Sequence, residues 1–464
     1  MSDQPWQGDA CSLVDAYRKG ERSPAEELEA TIAAIDRSEL NAFSYLDLDR
    51  ARDTASQADI EQPFGGVPIA IKELDPVAGW PATEASLVFA DRRWDYTNTQ
   101  TERLRAVGAV LVGQTTASEF GGLNISISKL HGITRNPWNL DHTTGGSSAG
   151  SSAAVAGGLV PIASGGDGGG SIRIPAGFCG LLGMKGTYGR IPKGPHTSVG
   201  PLTVLMGCMA RSVRDVARWY DVCAGYDAHD PYSLPKVDGW ERRLGSHTRD
   251  LRGRTVVIAP NLGRAIVRPE VEALIREQGE LLAEDAGLQL NDHTVDLPDV
   301  GTEWVLSNMI TLRHELGERW PGCKDDLTPA IGFGILMAEQ TYNLDIASNA
   351  EAARQRLNEA MADILDHVDF IIAASNPDVA FGADVHLNVK VGDLTVGAEN
   401  NGVLTIPANV TGVPAVSIPA GTVEGLPVGL QVITRHHDDA LLLDLALMAE
   451  RERPWPLVAP GSPR

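Results

Sequence analysis

Gly165-Gly-Asp-Gly-Gly-Gly-Ser-Ile-Arg-Ile-Pro175 is the stretch on which the reading of this chain turns. It follows the apolar run Leu159–Ala163 almost directly, so a buried segment feeds a turn built mostly of glycine. Glycine permits tight turns and lets backbone N–H groups approach a ligand closely. Ser171 then presents a hydroxyl beside such donors, the raw material of an oxyanion hole. A second cluster, Thr143-Thr-Gly-Gly-Ser-Ser-Ala-Gly-Ser-Ser152, lies just upstream. One such cluster reads as a flexible loop. Two close together, each joined to an apolar segment, read as a built site.

Outward from there, short runs rich in Val and Ile alternate with helical patterns. The runs are Val67–Ile71, Ala109–Gly113, Leu159–Ala163, Thr255–Pro260, Asp369–Ala374, Ala415–Ile418 and Val428–Ile433. Most do not alternate with polar residues, as expected of strands buried on both faces. Helices are expected over Ser212–Cys223, Pro269–Ala286, Ala350–His367 and Asp438–Glu452. Near the start, Ser23-Pro24-Ala25-Glu26 reads as a capping box with proline at the first helical position, opening a helix to about Asp36. The alternation predicts an α/β fold with a central mixed β-sheet covered by helices on both faces. No repeat or linker divides the chain, so a single domain over 1–464 is expected, with a helical segment at about 10–60 and a core at about 61–456. The stretch from about Pro298 to Ala347, with Trp304, Trp320, Met309, Met337 and Tyr342, has weaker periodicity. It reads as a helical layer, either peripheral or roofing a pocket.

Charge and cysteine usage exclude several functions. Lys+Arg is 39 against 61 Asp+Glu, a net charge of −22. Such a surface repels phosphate backbones and anionic membranes, so neither nucleic acid nor a membrane is expected as a partner. The five cysteines, Cys11, Cys179, Cys208, Cys223 and Cys323, form no C-x-x-C spacing and fit free buried thiols in a reducing compartment. No H-E-x-x-H or other metal spacing occurs among the eleven histidines. The first residues lack a signal-peptide core, and no run approaches the ~18 apolar residues of a membrane span. A cytoplasmic protein is expected.

Several motif readings compete for the serines. Gly146-Ser-Ser148-Ala-Gly150 matches the G-x-S-x-G elbow, which needs a strand before it; Pro137–Thr144 reads instead as loop. Ser126-Ile-Ser-Lys129 matches S-x-x-K without its companion motifs. Neither cluster carries the G-K-[ST] of a phosphate loop. Lys72 adds a further element, because it ends the apolar run Val67–Ile71. Burying a charged lysine is costly, and desolvation would lower its pKa from ~10.4 toward a neutral amine able to act as a base. A lysine snorkelling to solvent is the plainer reading of that segment alone.

Three stretches together resemble the amidase signature family: Gly66-Val-Pro-Ile-Ala-Ile-Lys72, Gly145-Gly-Ser-Ser-Ala-Gly150 with Ala153–Ala156, and Asp167-Gly-Gly-Gly-Ser-Ile-Arg-Ile-Pro-Ala176. Spacings of 75 residues from Lys72 to Ser147 and 24 from Ser147 to Ser171 agree with the family. Thr134–Asn139, Pro407–Ala415 and Gly425–Gln431 are also similar to family segments, so the likeness runs from about residue 10 to about 456. The resemblance implies an amidase with Ser171 as nucleophile, Ser147 as bridging serine after a cis peptide at Gly146, and Lys72 as base. It implies an oxyanion hole from backbone N–H groups of Gly168, Gly169, Gly170 and Ser171, with Ser148, Asp167 and Arg173 supporting. Asp167 and Arg173 would orient the turn through charge-assisted hydrogen bonds. No metal or organic cofactor is implied, and the partner would be a small-molecule amide.

The chain departs from the family pattern at Gly166, where Ser or Thr is usual, at Glu73 for Asp, at Gly186 for Pro, and at Ser375-Asn-Pro-Asp378. The same signature occurs in the A subunit of a tRNA-dependent amidotransferase, so that reading stays open beside the stand-alone amidase. A silent binding protein on the same fold is disfavoured by retention of all three residues. Pocket walls are expected from parts of 298–350 and 376–402. Oligomeric state is open, a homodimer included.

Overall fold

A computed structural model describes residues 4–197 and 203–463. Its centre is an eleven-stranded sheet. In chain order the strands are β1 (Phe43–Leu46), β2 (Pro68–Lys72), β3 (Val110–Thr115), β4 (Ile162–Asp167), β5 (Leu182–Lys185), β6 (Leu205–Ala210), β7 (Thr255–Ile258), β8 (Gln289–Leu290), β9 (Phe370–Ala374), β10 (Ala415–Val423) and β11 (Leu426–Thr434). They lie side by side as β1-β3-β2-β4-β6-β5-β10-β11-β9-β7-β8. Strand β2 runs parallel to β3 and β4, and β7 runs parallel to β8 and β9. The remaining pairs are antiparallel. The sheet is therefore mixed, as expected.

Each of the seven apolar runs becomes a strand of this sheet. Residues of β2, β9 and β11 are buried throughout, because both faces are covered and no position meets water. Alternation divides the side chains between two layers. From β2, Ala70 points into a cluster with Leu28, Ile32 and Ala153–Ala156. Ile69 and Ile71 point the other way, toward Val213, Val216 and Trp219. Ser23 caps helix Pro24–Arg37 with the reciprocal Glu26 bond of a capping box. Helix Pro269–Ala286 ends at Gly287, whose φ of 65° closes it in the left-handed conformation.

Four strands, β1, β5, β6 and β8, escape the sequence pattern. β5 and β6 contain Gly183 and Gly207 and lean on methionine, which weakens the strand signal. The loop expected over Pro137–Thr144 is corrected: Asn139–Thr143 is a strand, paired with Arg135–Asn136 in a separate two-stranded sheet. Its polar composition hid it. Asn136 Nδ2 holds the hairpin by donating to Thr143 O and Phe178 O, each at 2.9 Å.

The stretch with weak periodicity forms helices Gly301–Leu316, Pro329–Thr341 and Leu344–His367. The first two pack on a small core of their own around Leu312, Leu316, Ile331 and Ile335. No described helix is long and apolar enough to cross a membrane.

Candidate active site

Strand β2 delivers Lys72 inward. With β3 and β4 on its two sides, its last residue has no solvent to reach, and Lys72 is 2% exposed. Its N–H donates to Ser164 Oγ on β4 at 2.9 Å. Nζ stands 2.7 Å from Ser147 Oγ and 3.0 Å from Ser148 Oγ. Glu73 turns away from this group: it accepts from Ala117 N–H at 2.7 Å and pairs with His131 Nε2 at 2.8 Å.

Burial pushes the Lys72 pKa down to about 8, against the opposing pull of the Asp75, Asp167 and Glu73 carboxylates. Asp75 is fully enclosed as well. Burial pushes its carboxyl up to about 6, against the hydrogen bond from Ser164 Oγ and the charge of Lys72.

The serine cluster leaves the hairpin strand and opens helix Ala149–Ala156. The Gly146–Ser147 peptide is cis. A Cβ on Gly146 would stand 2.5 Å from Ile125 O, so this position admits only glycine. Ser147 O accepts from Ser118 N–H at 3.3 Å, and Gly121 packs against the Ser147 hydroxyl. Ser148 is fully buried, with its hydroxyl turned to Lys72 and to Gly166 O. It is not the exposed serine of an elbow.

The glycine turn follows β4. Asp167, the last residue of that strand, accepts from the N–H groups of Gly170 at 2.7 Å and Ile172 at 3.2 Å. Its carboxylate also receives Arg173 Nε and Nη2, each at 3.0 Å, and both side chains are fully enclosed. Burial alone would raise the Asp167 pKa, but Arg173 and Asn409 outweigh it and hold the carboxyl well below the usual carboxylate range. Arg173 reaches on to Gln431 Oε1 at 2.6 Å, Asn409 Oδ1 at 2.6 Å and Thr405 O at 3.0 Å. Asn409 Nδ2 returns to Asp167, and Thr405 Oγ1 donates to Gly169 O at 2.6 Å.

The turn thus has a fixed shape, and Ser171 sits half-buried at its end. Ser171 Oγ makes no hydrogen bond to another described residue, so the expected link from Ser147 to Ser171 is not closed in this structure. The N–H groups of Gly168, Gly169 and Ser171 make no hydrogen bond to a described residue either. Gly170 is a correction: its N–H is taken by Asp167 Oδ1, which removes it from the expected oxyanion donors.

Apolar side chains surround the glycines. Trp304 and Ile406 lie against Gly169, and Val204 against Gly168. Ile331 meets Gly122, beside the loop that touches Ser147. Phe178 packs on Gly145 and stacks edge-on with Phe381 at 6.0 Å. Trp304 and Ile331 of the first stretch thus lie beside the glycine turn and the Ser147 loop, while Phe381 of the second packs behind Phe178.

Other candidates fall away from this centre. Ser126 Oγ donates to Thr134 O, while Lys129 Nζ reaches Asp325 O at the surface. His142 is tied through its backbone to Gly382 and bonds to neither serine. Cys179 is enclosed, and burial pushes its thiol up to about 12, consistent with an inert core residue. The sequence reading assigned no role to Thr405, Asn409, Gln431, Asp75 or Ser164. Asn409 and Gln431 stood inside segments already similar to the family, which was the available signal. Asp75 and Ser164 carried none, since their meeting depends on β2 lying beside β4.

Comparison with known proteins agrees with this architecture. The family model described as Amidase matches residues 26–443. The A subunit of the glutamyl-tRNA(Gln) amidotransferase from Chloroflexus aurantiacus is 34% identical, with 95% of each chain covered. Among solved structures, a bacterial aryl acylamidase of the amidase signature enzymes superimposes with a TM-score of 0.89 at 27% identity, covering 97% of each chain. A 6-aminohexanoate cyclic dimer hydrolase in complex with substrate gives 0.86 at 26% identity, covering 99% of each. The protein is thus a hydrolase of carbon–nitrogen bonds. It belongs to the amidase signature family.

Proposed function

We propose that this protein is a stand-alone amidase that hydrolyses a carboxamide or secondary amide of a small molecule through an acyl-enzyme on Ser171. Neutral Lys72 takes the Ser147 proton while Ser147 takes that of Ser171, and Ser171 Oγ attacks the amide carbonyl carbon. The oxyanion of the tetrahedral intermediate is received by the N–H groups of Gly168, Gly169 and Ser171. The C–N bond breaks as the proton returns through Ser147 to the leaving nitrogen. Water enters by the same relay in reverse, cleaves the ester and releases the acid. The observation that carries this reading is the 2.7 Å contact between a fully buried lysine amine and the Ser147 hydroxyl.

A fluorophosphonate probe followed by peptide mapping tests the assignment. Label on Ser171, lost in Ser171→Ala, is expected. Label on Ser148 that persists in Ser171→Ala would overturn it.

A second reading, the A subunit of an amidotransferase, is favoured by the 34% identity to such a protein from Chloroflexus aurantiacus. Stoichiometric copurification of a second chain, with amide hydrolysis dependent on it, would select that reading. A homodimer is compatible with either, because every member of the relay comes from one chain. The five free, buried cysteines support a cytoplasmic setting.

A further inference from the structure

In a trans peptide the C=O and the following N–H point to opposite edges of one plane, so a partner at one end fixes the direction of the other. The four peptides from Asp167 to Ser171 are trans, and three of them are held in this way. Asn409 Nδ2 donates to Asp167 O at 2.8 Å, which turns the Gly168 N–H to the opposite edge. Ile174 N–H donates to Gly170 O at 2.7 Å and so sets the Ser171 N–H. The plane between Gly169 and Gly170 is held at both ends. Thr405 Oγ1 donates to Gly169 O at 2.6 Å, and Gly170 N–H donates to Asp167 Oδ1 at 2.7 Å. The fourth plane, between Gly168 and Gly169, has no hydrogen-bond partner among the described residues at either end. It takes its orientation from the planes on its two sides. Gly168 and Gly169 are half-buried and Gly170 is buried, matching the division into free and occupied N–H groups. No Cβ restrains the three glycines, so hydrogen bonds decide which way these amides face. Thr405 itself is buried, and its hydroxyl is the only side-chain donor among the described residues that reaches a carbonyl of Gly168–Gly170.

We infer that Thr405 is a positioning residue for the oxyanion hole: by holding Gly169 O, its hydroxyl locks the Gly169–Gly170 plane and thereby aims the flanking N–H groups of Gly169 and Ser171 at the oxygen on which charge develops. The inference deepens the amidase reading and rests on it. Thr405 bonds to none of Lys72, Ser147 and Ser171, so it acts through the backbone alone. The rest of the clamp does not duplicate it. Arg173, Asn409 and Gln431 hold Asp167 and one another, and none of their side chains reaches the carbonyl of Gly169. Without the hydroxyl, the Gly169–Gly170 plane keeps one of its two ties, and a run of glycines gives it room to rotate. Donors of an oxyanion hole act where charge develops, so a misaimed pair slows the reaction and leaves ground-state binding in place.

The rate of Ser171 labelling by a fluorophosphonate tests this without a known amide substrate. Ser171 Oγ bonds to phosphorus, the P–F bond breaks, fluoride leaves, the serine proton passes to the relay, and the phosphoryl oxygen gains charge on the way. Thr405→Val keeps the shape and removes the hydroxyl; Thr405→Ser keeps the hydroxyl. Thr405→Val should lower the limiting labelling rate about 10²-fold, the effect of a small misplacement of a positioned group. Its half-saturating probe concentration should stay where it is, since only the charged transition state is affected. Thr405→Ser should restore the rate to within about threefold of the unaltered chain, because the bond to Gly169 O is remade. The rise of labelling with pH near 8 should keep its place in both variants, because Lys72 is untouched. Thermal melts accompany each variant, and Thr405→Ala, which also lacks the hydroxyl, replaces Thr405→Val with the same expectation if the latter does not melt cooperatively. No loss of rate, equal losses in the valine and serine variants, a change confined to half-saturation, or a displaced pH limb would overturn the inference. A screen of aliphatic, aryl and cyclic amides runs beside it on the unaltered chain. If labelling follows Thr405 but no amide is cut, the amidase reading fails while the positioning role stands.

Discussion

A lysine sealed at the end of a strand can serve as a base only when it is neutral. With the Lys72 pKa at about 8, most of the amine is protonated at pH 7 and most is free at pH 9. The acylation rate should therefore rise with pH through a single limb near 8 and level off above it. Lys72→Ala should remove that limb and lower the rate by about 10²–10⁴. Lys72→Arg should be nearly as damaging, because guanidinium stays protonated; substantial activity in that variant would mean that the residue acts only as a positive charge. Asp75 supplies a second check. Its carboxylate opposes the lowering of the Lys72 pKa, so Asp75→Asn should move the limb to lower pH. A pH–rate profile that stays in place would mean that the charge at 75 is not felt at Nζ.

At the scale of elements, a glycine in strand β4 and a glycine in the turn after it make opposite demands. Gly170 has φ of 122°, and a Cβ there would lie 2.4 Å from Thr405 Oγ1. Gly166 has no left-handed φ, and the nearest atom to a Cβ there is Leu205 O at 3.6 Å. Gly170→Ala should cost about 1–3 kcal/mol and most of the activity. Gly166→Ser should leave the melting temperature within a few degrees. Thermal melts and hydrolysis rates of the pair check both statements. The contrast also shows how far sequence reading reached. The seven apolar runs, the capping box at Ser23 and the two glycine clusters were legible, because each is a local pattern with a local cause. The clamp around Arg173 was not, since its partners Thr405, Asn409 and Gln431 come from more than 200 residues away. The occupied N–H of Gly170 was likewise invisible, because a run of three glycines does not say which amide its own aspartate will take.

For the whole molecule, every group in the proposed relay belongs to this chain. Protein produced alone should hydrolyse amides without any added chain; activity assays beside mass determination of the purified species check this. Hydrolysis that appears only with a second, copurifying chain would transfer the protein to the amidotransferase reading. The long-range clamp has one more consequence. Lys72, Ser147 and Ser171 all lie in the first half of the sequence, whereas Gln431, Asn409 and Thr405, which hold Arg173 and the glycine turn, lie near its end. A fragment of this gene encoding only the first half would display all three residues of the proposed relay and still lack the clamp that shapes the glycine turn. Inheriting the three motifs is therefore not the same as inheriting the enzyme: the smallest heritable unit of activity is the nearly complete chain.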